Sequence, residues 1–241
     1  MTEINSFTKG LKDGIPICLG YFSVAFAFGI FAIESGLSIW QATIISLANM
    51  TSAGQLAGVP IIAGGGSLAE LALSQLVINS RYSLMSVSIS QKFSRKVTFW
   101  NKLFIAYANT DEIFAVAHSN NGEVGKKYMW GLMLLPVIGW TGGTLAGGVA
   151  GNILPAIIVS ALGLAIYGMF VAIVVPVAKK EKTTALCVFL AIALSCAFKY
   201  VPALSVVPSG FTVIICAVAA SAIFALVAPI NTQDKEATAI E

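Results

Sequence analysis

Residues 14–33 read GIPICLGYFSVAFAFGIFAI, twenty positions without an acidic or basic side chain. At about 1.5 Å per helical residue, such a run spans ~30 Å, the thickness of a bilayer's hydrocarbon core. Seven more mostly apolar stretches follow, at about 39–63, 67–90, 98–117, 129–149, 153–177, 184–199 and 208–229. The 241-residue chain is 57% hydrophobic and only 10% charged, with a mean hydropathy of +0.87. A soluble domain has no core able to hide that much apolar surface, whereas a bilayer accepts it. The expectation is an all-α polytopic membrane protein with seven to eight hydrophobic transmembrane segments, one or two of them open to being broken or re-entrant. A polar N-terminal tail (1–13) and a polar C-terminal tail (231–241) flank a single transmembrane helical domain (14–230). No room remains for a soluble catalytic domain of roughly 100 residues. Residues 1–13 carry no cleavable signal pattern, so the first segment is expected to stay as a membrane helix.

Other chemistry is thin. The four cysteines (Cys18, Cys187, Cys196, Cys216) all sit in apolar stretches without CxxC spacing, and His118 is the single histidine. Neither a disulfide framework nor a metal site is expected, and no cofactor. No Walker loop and no hydrolase nucleophile set is present, so an enzyme is not expected. The formal net charge of +3 reflects loop lysines and implies no nucleic-acid partner.

Punctuation divides the chain. Pro16 after Asp13-Gly14 suits the opening turn of a helix. Gly64-Gly65-Gly66 separates segments two and three, Gly151-Asn152 with Pro155 marks a hairpin, and Lys179-Lys180-Glu181-Lys182 ends segment six. The basic residues then pose a problem. Eight plain crossings put Lys92, Arg95, Lys96 and Lys102 on the opposite face from Lys9, Lys12, Lys126, Lys127 and the segment-six lysines, against the usual cytoplasmic bias. The simpler reading tolerates that exception. The other restores the bias by letting segments two and four be broken, or enter and leave on one side, at Asn49-Met50-Thr51-Ser52-Ala53-Gly54-Gln55 and Asn109-Thr110-Asp111-Glu112. Irregular backbone at that depth must be buried in protein or line a wet cavity.

Several residues stand out for function. Gln75, Asn79, Tyr82, Ser83, Ser86 and Ser90 fall within an arc of about 100° on segment three, a polar stripe that either bonds neighbouring helices or lines a solute path. Arg81 does not belong to that stripe and points away from Asn79's side of the helix. Facing lipid near mid-membrane would cost it about 3 kcal/mol or more, so it calls for Asp111 or Glu112, a second subunit or a local break. Asp111 and Glu112 are adjacent, so on a helix they diverge by about 100° and cannot share one partner. Thr110 and Asp111 also suit a helix cap, with Glu112 facing a cavity, and a buried carboxyl here could take up a proton, either of the two being open to that role. Gly54 and Gln55 follow small side chains that would let a ligand approach the backbone. In segment five, Gly139, Gly143, Gly147 and Gly151 form one smooth stripe at four-residue spacing, a packing surface for another helix.

The ordered set Gly14-Ile15-Pro16-Ile17, Gly20-Tyr21, Phe26-Ala27-Phe28-Gly29, Gly36-Leu37-Ser38, Ser52-Ala53-Gly54-Gln55, Asn79-Ser80-Arg81-Tyr82 and Thr110-Asp111-Glu112 resembles the AzlC family, the large subunit of bacterial branched-chain amino-acid exporters. The resemblance covers about residues 10–180. It implies a multi-pass permease of the bacterial cytoplasmic (inner) membrane exporting branched-chain or similar apolar amino acids, and a small hydrophobic AzlD-like membrane subunit as partner. Secondary transport coupled to an ion or proton would drive it. In that role Arg81 could meet the substrate carboxylate and Asp111 or Glu112 its ammonium; equally, these residues could bind one another and gate the path. The competing readings are a non-transporting scaffold subunit that stabilises a partner, and an exporter of a different small solute.

Overall fold

The computed structural model describes residues 3–155, 157, 165–204 and 206–228. The C-terminal tail expected at 231–241 lies outside them. The chain divides into two units, Met1–Met169 and Phe170–Glu241.

In the first unit, Ser6 starts the first helix by accepting from the Lys9 amide at 3.3 Å, and α1 runs Phe7–Glu34. The helix therefore begins within the stretch read as a polar tail, and Pro16 lies well inside it rather than in its opening turn. A proline there removes one backbone hydrogen bond, which membrane helices accommodate. Segment two is not one helix. It is α2 (Ile39–Ala48), opened by a Ser38/Gln41 capping box, and α3 (Ser52–Ala63), capped by Thr51. Asn49 and Thr51 between them are extended. The third segment forms α4 (Leu68–Lys92). Segment four is likewise split, into α5 (Phe99–Tyr107) and α6 (Asp111–Ser119). The fifth is α7 (Lys126–Ile153), which takes in Gly151-Asn152; the rest of the hairpin expected there lies largely outside the described residues.

The direction of each helix follows from contacts at its ends. Strand β1 (Glu3–Ile4) pairs in parallel with β2 (Glu123–Val124), and Phe93 bridges to the same Val124. The Lys92 ammonium donates to the His118 carbonyl, and Trp130 Nε1 donates to Asn101 at 3.2 Å. The chain entering α5 and the chain leaving α6 therefore lie at one end, beside the start of α1 and of α7. The α5–α6 pair goes in and comes back. α4, ~37 Å long, carries the chain between ends, so its start and the end of α3 lie at the other. Ile39, at the start of α2, packs beside Gly148 near the end of α7, which puts it there too. The α2–α3 pair thus enters and returns from the opposite end. With α2, α3, α5 and α6 each ~13–18 Å long, every half-helix reaches about halfway through a ~30 Å core. Lys9, Lys12, Lys92, Arg95, Lys96, Lys126 and Lys127 share one end, so within the first unit the charge conflict raised by plain crossings disappears.

Glycine sets the closeness of α1 and α7. They run parallel, each four-residue step on one matched by the same step on the other. A Cβ on Gly139 would sit 2.5 Å from the Cys18 carbonyl oxygen and one on Gly143 2.5 Å from that of Phe22, while on Gly147 it would overlap the Phe26 backbone. Gly151 has room, its nearest neighbour at 3.6 Å. The core around this seam holds Tyr128, Met129, Leu132 and Trp140, all buried.

Later in the sequence come α8 (Ala165–Lys180), α9 (Lys182–Tyr200) and α10 (Ser209–Val227). In the second unit α9 packs against α10, with Cys187 Sγ 3.9 Å from the Ala220 carbonyl oxygen. All four cysteines are free. Among the described residues four helices (α1, α7, α9, α10) are long and apolar enough to cross a membrane. α4 has the length, but its polar stripe lowers its hydropathy.

Candidate functional site

The two breaks meet. Tyr107, ending α5, donates its hydroxyl to the Leu47 carbonyl near the end of α2. Thr110, opening α6, lies against Tyr21 at the midpoint of α1. Between the breaks is a cavity of about 240 Å³. Ala48, Asn49, Met50 and Thr51 line it from the first break, and Ala106, Tyr107, Asn109 and Thr110 from the second. Asn79 and Tyr82 close it from α4. No acidic or basic side chain is among them.

The polar stripe of α4 holds both breaks in place. Gln75 Oε1 accepts from Asn49 Nδ2 at 3.0 Å and from Asn79 Nδ2 at 3.2 Å, while its Nε2 donates to the Gly54 carbonyl at 2.8 Å. A side chain on Gly54 would lie 2.5 Å from Gln75 Oε1, which is why this position takes glycine. Further along the stripe, Ser86 accepts from Asn109 Nδ2 at 3.2 Å, tying down the second break. Ser86 and Ser90 then line a second cavity of about 220 Å³ running towards Phe93 and Lys102. Ala106 lines both cavities.

Charged groups surround the cavity without lining it. Arg81 Nη1 lies 2.8 Å and 3.0 Å from the two Asp111 oxygens, and Nη2 donates to the Tyr82 hydroxyl at 3.0 Å. Each side chain of this ion pair is about half exposed. The neighbouring Glu112 takes a different partner. Tyr21 Oη lies 2.5 Å from Glu112 Oε2 and 2.5 Å from Thr110 Oγ1. A phenol has one proton to donate, so it serves one of these acceptors at a time. The adjacent carboxylates thus diverge as helix geometry demands. Thr110 does not cap α6 with its side chain, because its hydroxyl is engaged by Tyr21.

Of the residues singled out from sequence, Asn79 and Tyr82 line the cavity. Gln75, Gly54, Arg81 and Asp111 form the layer behind it. Gln55 is 1% exposed and donates to Ser46 at 2.8 Å. Ser46 in turn contacts Thr144 of α7 at 2.6 Å, so this chain of bonds fastens the first broken pair to α7. Gly139, Gly143 and Gly147 belong to the α1–α7 seam. Asn49, Thr51, Asn109 and Thr110 were recognised as interruptions but not as lining residues. A signal for them exists: SIWQATIISLAN at 38–49 recurs as TFWNKLFIAYAN at 98–109, aligning Trp40 with Trp100 and Asn49 with Asn109. Together with the opposite entry directions, this is an inverted repeat, an arrangement that in transporter folds places solute sites at mid-membrane.

Comparison with known proteins matches the AzlC protein family over residues 16–154, a span holding both broken pairs, all of α7 and α1 from Pro16 onward. The chain is 29% identical over 191 residues to the inner membrane protein YgaZ of Escherichia coli, covering 76% of this chain and 77% of that one. It is 33% identical over 172 residues to an uncharacterized membrane protein of Archaeoglobus fulgidus, covering 70% and 75%. With the branched-chain amino acid transport protein AzlC of Bacillus subtilis it shares 24% identity over 150 residues, 61% of this chain and 58% of that one. No solved structure matches.

Proposed function

The chain belongs to the AzlC family, and from that premise we propose that it exports branched-chain or similar apolar amino acids through the cavity between its two broken helix pairs. A role in membrane transport comes with the family; the substrate class, direction and coupling are our reading. The observation that carries it is the meeting of two inverted, interrupted hairpins at mid-height. Backbone that leaves helical geometry at that depth has to be buried or line a wet path, and here it lines a polar cavity. The cavity lies below the ~300–1,000 Å³ typical of drug-sized ligands, which suits a small solute. The name of the Bacillus subtilis relative supplies the branched-chain class. The second cavity, mostly apolar with Ser86 and Ser90 among its lining, is read as continuing the path towards the lysine-rich end, which we assign to the cytoplasm, in the inner membrane of a bacterium.

Coupling to protons is assigned to Glu112. Asp111 is engaged by the Arg81 guanidinium, whereas Glu112 meets the uncharged Tyr21 phenol. The small AzlD-like subunit is assigned to the outer face of α4, where a half-exposed Arg81–Asp111 pair is a poor neighbour for lipid. The test is retention of labelled leucine, isoleucine, valine and methionine in cells with and without this chain and its partner. Faster loss of the branched-chain amino acids when both are present is expected. Equal retention would leave a scaffold role as the better reading.

A further inference from the structure

We propose that the cavity holds an amino acid in one fixed orientation, its carboxylate against the start of α3 and its ammonium against Asn79 and Asn109. This rests on the transport reading and deepens it by assigning each end of the zwitterion to named groups.

The lining carries no charged side chain, so the two charges of a zwitterion have to be met by dipoles. Four helix ends converge on the cavity. α2 and α5 finish there, offering carbonyl oxygens and partial negative charge; α3 and α6 begin there, offering amide N–H groups and partial positive charge. The two starts correspond in the repeat but differ in chemistry. α3 opens Ser52-Ala53-Gly54 with no acid in its first turn, whereas α6 opens with Asp111 and Glu112. A carboxylate is attracted to the first and repelled from the second.

A separate observation fixes the ammonium. Asn109 is 2% exposed; its Nδ2 donates to Ser86, and its buried Oδ1 has no partner. Asn79 repeats the pattern, with Nδ2 on Gln75 and Oδ1 unpartnered. Both residues line the same cavity. Buried amide oxygens are normally satisfied, and two unpartnered acceptors on residues that line one cavity point to a ligand with several N–H donors. An ammonium supplies three, a carboxylate none. Met50 lies beside these groups, and its unbranched thioether adapts to apolar side chains of differing shape.

The experiment uses the full-length protein in lipid nanodiscs and competition against labelled leucine by three probes: leucine, leucinamide (no carboxylate) and 4-methylpentanoate (no ammonium). Asn109→Ala should weaken leucine and leucinamide about tenfold, as one charged hydrogen bond is worth, and leave 4-methylpentanoate unchanged. Ser52→Asp should weaken leucine and 4-methylpentanoate and spare leucinamide. Ser52→Lys should tighten 4-methylpentanoate, a gain that misfolding cannot imitate. The opposite pairing of variants and probes, or an equal loss for all three probes in every variant, overturns the orientation alone. Absence of leucine binding by the unmodified protein overturns the amino-acid reading and this proposal with it.

Discussion

At the scale of single residues, the division of labour between two adjacent acids gives the sharpest tests. Arg81→Gln strands Asp111 on the outer face of α4, and the protein level should fall several-fold, as it does when roughly 1–2 kcal/mol of stability is lost. Arg81→Lys should restore it only in part, because an ammonium cannot reproduce the fork that meets both Asp111 oxygens and the Tyr82 hydroxyl. The double change Arg81→Gln with Asp111→Asn should recover the level, since removing both charges leaves neither unpaired. Pairing the same Arg81→Gln with Glu112→Gln should not. Quantitative immunoblotting of membranes reads all four. Glu112→Gln alone should keep a normal level and abolish accumulation driven by a pH gradient, while exchange of labelled for unlabelled leucine across proteoliposomes continues. Loss of exchange as well would place Glu112 in solute binding or packing instead.

Among the elements, the glycine seam and the breaks behave differently. Gly143→Leu and Gly147→Leu should each prevent assembly, because the side chain would have to occupy space filled by the α1 backbone. Gly151→Ala should be nearly neutral, its nearest neighbour being 3.6 Å away. Size-exclusion profiles of the three variants separate these outcomes, and a normal profile for Gly147→Leu would disprove the close approach. The seam was legible in the sequence because four-residue spacing of glycines is a local pattern. The interruptions Asn49-Met50-Thr51-Ser52-Ala53-Gly54-Gln55 and Asn109-Thr110-Asp111-Glu112 were visible too, but eight plain crossings remained the simpler reading. Asn79 and Tyr82 were legible as part of the α4 stripe. What local pattern could not give was the return of α5–α6 to its entry side, which depends on Phe93 meeting Val124, two residues far apart in sequence. Nor could it choose Asp111 over Glu112 for Arg81, because helix periodicity says that adjacent side chains diverge and not which way each goes.

For the whole molecule, the prediction is one of sidedness. With the four native cysteines replaced by alanine, single cysteines at Arg95 and Asn121 should react with an impermeant maleimide from the same side of the membrane, and one at Leu68 from the other. Opposite labelling of the first two positions would return α5–α6 to a plain crossing. The parallel contact between α1 and α7 also has a consequence in time. α1 ends at Glu34 and α7 begins at Lys126. A ribosome adding about 5–20 residues per second needs on the order of ten seconds to make what lies between. For that interval the newborn α1 waits in the membrane with its notched face uncovered, and neither hairpin has the wall it will lean on. Nascent chains halted near residue 120 should therefore be open to quality-control proteases, and chains halted once α7 has cleared the ribosome should resist them.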